Sequence, residues 1–184
     1  LDGKLKSNFL FATKNLTGTD NYAVIVKTDA YGGTTSVTVP QSAWTAYNAT
    51  YTQITYPGIA AKEMTDNLVV TIYNSKGQAL TEGYSRTVAD YLLSSLNNSR
   101  NPDDAKKVFV DMMNYGAAAQ NFFNYATDNL ANAQVTADQQ TKYATVVDMS
   151  GVENILVKGE GYMGATASLE SELLLNFIYS KTTT

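Results

Sequence analysis

The sequence predicts an α+β fold, in which an antiparallel β-sheet of about seven or eight strands packs one face against a two-helix hairpin. In the N-terminal half, several segments alternate apolar and polar side chains with a period of two and are separated by turn residues. Beyond residue 86 the apolar residues recur at helical spacing, and a period-two segment returns near the C-terminus. A run of strands followed by a run of helices is typical of the α+β class.

Turn residues divide the strand-rich half of the chain. Two glycines after Tyr31 permit positive φ, so 28–33 is predicted to be a turn. Pro40 should end the strand before it, Pro57-Gly58 predicts a further turn, and 74–77 predicts a hairpin loop whose returning strand is 78–85. The other predicted strands are 4–11, 22–27, 34–39, 51–56 and 68–73.

Two helices are predicted after the strands. Thr87 and Asp90 resemble a capping box at the start of a helix over 87–97. Asn101 can cap a second helix with Pro102 at its first position, and this helix should run to about Tyr125. Its core-facing residues are predicted to be Val108, Met112, Tyr115, Ala119, Phe122 and Phe123.

A run of small residues lies in the middle of this second helix, at Gly116 and the three alanines that follow. Because glycine weakens a helix interior, its presence there indicates that another element approaches closely. We expect that element to be the sheet. Use of the small residues as a ligand groove is the alternative.

The C-terminal third begins with a polar segment in which Thr136 and Gln139 can cap a short helix. Residues 152–158 have strand character, 159–164 form a glycine-rich connection, and 167–179 are predicted to be the last strand.

The last strand resembles the first when Leu169 is set against Leu5, because the inside/outside alternation then agrees. Either two similar strands share one sheet, or the last strand begins the next copy of a tandem module. The predicted organisation is a single module over 1–184, with a strand-rich part (1–86), a helical hairpin (87–125), a linker with a short helix (126–150) and closing strands (151–180).

Composition excludes several classes of function. The chain contains no Cys and no His, so disulfides, thiolate or His-based nucleophiles and His-ligated metals are absent. Net charge is −4, without a basic cluster, which argues against nucleic-acid binding. No apolar run is long enough to span a bilayer. We therefore expect no nucleic-acid partner, no membrane insertion and no cofactor.

The carboxylates do not indicate a catalytic pair or a metal site. They are scattered without a spacing that singles out two for glycoside hydrolysis, and no acidic calcium loop occurs. Asp103 and Asp104 are better explained as favourable charges at a helix N-terminus. An amide crosslink from Lys27 or Lys62 to a strand Asn is a disfavoured alternative. The chain is predicted not to be an enzyme.

Several segments resemble a module of secreted and cell-surface multidomain proteins of gut Firmicutes, such as ruminococci and clostridia. The most specific is the Tyr-Gly-Ala-Ala-Ala-Gln helix within 111–120, and the others are 16–23, 58–64, 69–73 and 129–133. The resemblance implies an extracellular or cell-surface location in a Gram-positive bacterium. It also implies a non-catalytic role beside neighbouring modules, often in dockerin-bearing polysaccharide-adherence systems that include starch adherence.

Aromatic side chains at turns provide candidate sugar-binding residues, because a flat ring packs against the C–H face of a pyranose. The chain has 13 Tyr and one Trp, and Tyr tolerates solvent contact. A helical turn over 42–48 would place Trp44 and Tyr47 on one face. A hydrophobic cap over the end of the sheet is the alternative role of Trp44. The candidate ligand-binding residues are Trp44, Tyr47, Tyr51, Gln41, Asn48, Tyr31 and Tyr162.

Two functions are therefore expected. The first is a carbohydrate-binding module, with an α-glucan such as starch as the favoured polysaccharide. The second is a structural spacer or protein-interaction module without a glycan ligand.

Overall fold

The computed structural model of the chain describes residues 4–146, 161–169 and 173–180. The chain divides into two compact units, of which residues 4–144 form the larger and the C-terminal strands belong to the smaller. Each unit is described by itself below.

The larger unit has seven strands and three helices, so the predicted α+β class is confirmed. The strands are β1 (Lys4–Ala12), β2 (Tyr22–Thr28), β3 (Thr34–Pro40), β4 (Thr45–Ala46), β5 (Tyr51–Ala60), β6 (Asn67–Tyr73) and β7 (Tyr84–Arg86). The helices are α1 (Val88–Leu96), α2 (Asp103–Phe122) and α3 (Ala137–Tyr143).

The strands form two antiparallel sheets instead of the single sheet that we predicted. One sheet has the order β1-β5-β4, and the other has the order β3-β2-β6-β7. Ile54 and Ile59 of the first sheet share a core with Ile25, Val70 and Ile72 of the second. Because alternation gives each strand one apolar face, each sheet buries that face by packing against another layer.

Strand β5 continues through Pro57-Gly58, where a turn was predicted. Tyr56 pairs with Ser7 and Ile59 with Leu5, so two residues of β5 lie opposite one residue of β1. Such a β-bulge accommodates a proline, whose nitrogen cannot donate to the ladder.

The helical hairpin forms, with small differences at its ends. Thr87 caps α1 by accepting a hydrogen bond from the Asp90 N–H. Helix α2 begins at Asp103, and Pro102 takes the cap position that we predicted for Asn101.

The buried face of α2 differs from the predicted one. The residues that α2 buries are Val110, Met113, Gly116, Ala117, Ala119 and Gln120. Of the predicted core-facing residues, Val108, Tyr115, Phe122 and Phe123 are exposed.

The helices build a second hydrophobic core beside the core of the sheets. Val110 and Met113 of α2 cluster there with Leu92 and Leu96 of α1 and with Met64. Met64 follows a single-turn 3₁₀ helix (Ala61–Glu63) at the end of β5. The small residues of α2 therefore pack against this turn, and the prediction that they contact the sheet itself is wrong.

The smaller unit contains an antiparallel hairpin of β8 (Gly161–Leu169) and β9 (Leu173–Ser180). The predicted last strand, 167–179, therefore covers the end of β8 and most of β9, and the glycine-rich connection runs into β8. β8 and β9 pair with each other in a two-stranded sheet of the smaller unit, and the expectation that the first and last strands share one sheet stays a prediction. The predicted strand at 152–158 lies outside the described residues.

Candidate functional site

The predicted aromatic cluster around Trp44 has a different local structure from the helical turn that we expected. Only Gln41–Ala43 form a single 3₁₀ turn, and Trp44 has extended dihedral angles (φ −79°, ψ 151°). The next two residues form β4, which pairs with Gln53 and Thr52 of β5. Trp44 and Tyr47 are therefore not placed on one helical face.

Trp44 lies half-buried against the core between the sheets, as in the hydrophobic-cap interpretation. Its indole Nε1–H donates to the Val39 carbonyl at 3.1 Å. The side chains of Gln41 and Asn48 also form hydrogen bonds within the chain. The Gln41 side-chain oxygen accepts the Asn21 N–H, and the Asn48 side-chain oxygen accepts the Tyr51 N–H. Trp44, Gln41 and Asn48 thus stabilise this end of the sheet.

Replacing Trp44→Ala should lower the free energy of unfolding by about 2–3 kcal/mol, because it removes a large half-buried ring and one hydrogen bond. Urea unfolding followed by circular dichroism measures the change. Tyr47→Ala is the matched control, because Tyr47 is 60% exposed and its loss should cost less than about 0.5 kcal/mol. Equal losses in the two variants would show that Trp44 does not support the core.

Two other predicted ligand-binding tyrosines are Tyr51 and Tyr162. Tyr51 begins β5 with an exposed side chain. Tyr162 lies on β8, where its backbone pairs with Tyr179, and its side chain lies outside the described set.

Tyr31 lies at the tip of the β2-β3 hairpin and is 70% exposed. The Asp29 carboxylate accepts the N–H groups of Tyr31 and Gly33, each at 2.8 Å, which orders the tip. Gly32 has a φ of +84°, which a glycine adopts without strain. The turn residues noted in the sequence therefore present the Tyr31 ring to solvent on an ordered loop.

Two tyrosines hold the hairpin tip against the segment that follows α2. The Tyr31 hydroxyl accepts the Ala126 N–H, and the Tyr125 hydroxyl accepts the Ala30 N–H, each at 3.3 Å. The two rings meet edge to face, with centroids 5.4 Å apart. These reciprocal contacts fix the position of the exposed Tyr31 ring.

Further aromatic side chains extend this surface along the end of α2. The Lys62 ammonium lies 5.2 Å from the Tyr125 ring centroid and 5.3 Å from that of Phe123. Phe122, which is 80% exposed, packs edge to face on Phe123 at 5.0 Å. We call the set Tyr31, Lys62, Phe122, Phe123 and Tyr125 the Tyr31 surface.

A charged cluster lies beside the Tyr31 surface. The Tyr125 hydroxyl donates to Asp66 Oδ1 at 2.7 Å, and the Asp66 side chain has no exposed area. Lys27 Nζ lies 3.5 Å from Asp66 Oδ2 and 3.0 Å from Glu63 Oε2.

Burial determines the pKa directions in this cluster. It raises the pKa of Asp66, despite the opposing hydrogen bond from Tyr125 and the charge of Lys27. Burial and the bond to Asp66 raise the pKa of Tyr125, so its hydroxyl stays protonated and can donate. For Lys27, burial lowers the pKa, but the hydrogen bond to Glu63 and the nearby carboxylates outweigh burial and leave it raised.

Sequence reasoning missed most of these residues. Phe122 and Phe123 were assigned to the buried face of α2, and Tyr125 was treated as the end of that helix. For Lys27 a signal existed, because it lies in phase with the buried Ala23 and Ile25 on the inward face of β2.

Within the described residues, no group of three or more acidic side chains is placed to hold a metal ion. Over the same residues, no helix combines the length and apolar character that crossing a membrane requires. Comparison with protein-family models, curated proteins and solved structures finds no match to this chain.

Proposed function

We propose that this chain is a non-catalytic carbohydrate-binding module that stacks a sugar ring on Tyr31. One observation carries the proposal: Tyr31 is 70% exposed, yet both its backbone N–H and its hydroxyl are held by hydrogen bonds. Holding an exposed ring in place reduces the entropy that is lost when a ligand binds.

Tyr31 and the exposed end of α2 carry two kinds of group that suit a sugar. An aromatic face packs against the C–H groups of a pyranose, and Asn121 and Asn124, which are exposed at the end of α2, carry amides that hydrogen-bond to hydroxyls. An α-glucan such as starch is the favoured ligand because the module that the sequence resembles occurs in polysaccharide-adherence systems that include starch adherence. An extracellular location and neighbouring modules as partners belong to the same proposal.

A protein-interaction module is the second candidate. It is favoured by Phe122, an 80% exposed ring without a polar atom, and by the angle of 86° between the Phe122 and Phe123 rings. Two perpendicular rings form an uneven apolar surface instead of a flat platform, and apolar surfaces of this kind are typical of protein contacts.

Affinity electrophoresis in gels that contain starch, xylan, β-glucan or mannan tests the first proposal. Starch should retard the wild type, and Tyr31→Ala should weaken binding about 10-fold or more, since truncating a central aromatic contact costs roughly 1.4 kcal/mol or more. Tyr47→Ala is the matched control, because it removes an equally exposed tyrosine from a different loop.

The outcomes separate the candidates. Loss of retardation in Tyr47→Ala but not in Tyr31→Ala would move the site to the 41–51 segment. Absence of retardation in every gel would overturn glycan binding by this chain and leave the protein-interaction module. Circular dichroism of each variant confirms that it remains folded.

A further inference from the structure

Lys27 lies on β2 and Asp66 directly precedes the neighbouring strand β6, which brings their side chains together. Strands β2 and β6 are adjacent and antiparallel, with Lys27 opposite Leu68 and Thr28 opposite Asn67. Lys27 points to the same face of β2 as the buried Ile25, and Asp66 precedes β6 in phase with the buried Leu68. Both side chains therefore point inward at the same end of the sheet.

The polar contacts of Asp66 leave one oxygen without a hydrogen-bond partner. Its Oδ1 accepts the Tyr125 hydroxyl, while its Oδ2 is buried and accepts no hydrogen bond. Lys27 Nζ lies 3.5 Å from this Oδ2. The buried Oδ2 thus has an ion-pair partner but accepts no hydrogen bond, and burying a carboxylate with incomplete hydrogen bonding is costly.

Glu63 is a second carboxylate in contact with the Lys27 ammonium group. Its Oε2 lies 3.0 Å from Lys27 Nζ and also accepts the Ala60 N–H at 3.1 Å, which fixes its position. A carboxylate at that distance can take a proton from an ammonium group and return it later.

We propose that Lys27 and Asp66 condense to form an intramolecular amide bond that links β2 to β6. A nucleophile, an electrophilic carboxyl group, a proton acceptor and a hydrogen-bond donor to the carbonyl oxygen are all in contact, and the site is shielded from solvent. The structure pairs Lys27 with an aspartate, whereas the sequence suggested only an asparagine.

The steps balance without an oxidant or a co-reactant. Lys27 gives a proton to Glu63, and the free amine attacks Cγ of Asp66 in its neutral acid form. The Tyr125 hydroxyl stabilises the negative charge that develops on Oδ1. Glu63 then protonates Oδ2, which leaves as water, and takes the second proton from the nitrogen as the amide forms. Glu63 finally releases that proton to solvent.

Two features of the site favour this reaction. The raised pKa of Asp66 favours the neutral acid, which loses water more readily than a carboxylate does. Holding amine and carboxyl in contact replaces a bimolecular encounter with an intramolecular step. Because the bond forms once in each molecule, the small population in which Glu63 has accepted the Lys27 proton is sufficient.

Such a bond would supply a crosslink that this chain cannot obtain from cysteine, since the sequence contains none. It would join two central strands of the four-stranded sheet. Sheet strands tied by a covalent bond resist separation when the protein is unfolded or pulled, because the linked segment cannot extend.

Intact mass spectrometry of the purified 184-residue chain tests the proposal. The wild type should have a mass lower than the sequence mass by one water, and a tryptic digest should contain the Lys27 and Asp66 segments joined as one peptide. Lys27→Arg keeps the positive charge but should show the full sequence mass. Glu63→Gln should keep the fold and accumulate the uncrosslinked form.

Each result supports or overturns the proposal. A folded wild type at the full sequence mass overturns it, whatever the variants show. Loss of water that persists in Lys27→Arg also overturns it, since the water would then come from another site. Circular dichroism verifies that each variant is folded, and the wild-type mass decides the question even if a variant does not fold.

Discussion

Replacing Gln120→Leu should lower the free energy of unfolding by about 3–5 kcal/mol, because it removes all three hydrogen bonds of a buried side-chain amide at once. The Gln120 side chain has no exposed area, and its Nε2 donates to Thr65 Oγ1 at 3.1 Å and to the Asn129 carbonyl at 3.0 Å. Its Oε1 accepts the Ala131 N–H at 2.7 Å. Leucine has a similar volume but leaves the buried Ala131 N–H without a partner.

Urea unfolding of the wild type and of Gln120→Leu, followed by far-UV circular dichroism, measures this loss. Gln134→Leu is the matched control, because it makes the same change at an exposed position and should shift the free energy of unfolding by less than about 0.5 kcal/mol. If Gln120→Leu is no less stable than the control, the buried amide does not hold the segment after α2 in place.

These contacts explain the Tyr-Gly-Ala-Ala-Ala-Gln segment that gave the strongest family resemblance. Gly116, Ala117, Ala119 and Gln120 are buried, while Tyr115 is exposed. The segment thus joins α2 to the 3₁₀ turn after β5 and to the loop at 129–131. These contacts hold α2 against its neighbours, and none of these residues belongs to the Tyr31 surface.

The pattern of apolar residues along α2 did not identify which face of the helix is buried. Glycine and alanine contribute little apolar area, and Gln120 counts as polar, so the face that contains Phe122 and Phe123 has the stronger apolar pattern. The close approach at Gly116 and the three hydrogen bonds of Gln120 decide the orientation instead. Both depend on residues distant in the sequence.

The residues within each helix or strand predicted that the element forms, but they did not predict which elements pair or pack together. The caps at Thr87 and Thr136 formed as predicted, because a capping side chain bonds to an N–H three residues away. Alternation of apolar and polar residues also predicted most of the strands. It does not indicate which strands pair, so one sheet was predicted where two are present. The turn predicted at Pro57 is wrong because β5 accommodates the proline with a bulge opposite β1.

The same distinction applies to the candidate site. Tyr31 was recognised because its exposure follows from the hairpin turn beside it. Its partner Tyr125 and the pairing of Lys27 with Asp66 join segments that are far apart in the sequence. At Trp44 the predicted helical turn is wrong, because the extended backbone and the bond to the Val39 carbonyl were not apparent from the spacing of aromatic residues.

Gly116→Val should destabilise the fold by about 3 kcal/mol or more, because the buried side of α2 has no room for a side chain there. A Cβ atom at Gly116 would lie 2.6 Å from Met64 Sδ, 3.0 Å from Ala131 Cβ and 3.4 Å from the Ala61 carbonyl oxygen. Urea unfolding measures the loss. Ala118→Val, an exposed position of the same helix, is the matched control and should cost less than about 1 kcal/mol.

A double-mutant cycle with Met64→Ala identifies the cause of that loss. If the Met64 thioether is the main obstacle, truncating it makes room for the valine, and the two losses should fall short of additivity by about 1 kcal/mol or more. Strict additivity would show that Met64 moves aside at no cost. The loss of stability would then come from the clash of the valine with Ala131 and the Ala61 carbonyl. A Gly116→Val variant as stable as Ala118→Val would contradict the close approach itself. Since valine forms a helix at least as well as glycine does, a measured loss at Gly116 must come from packing between α2 and its neighbours.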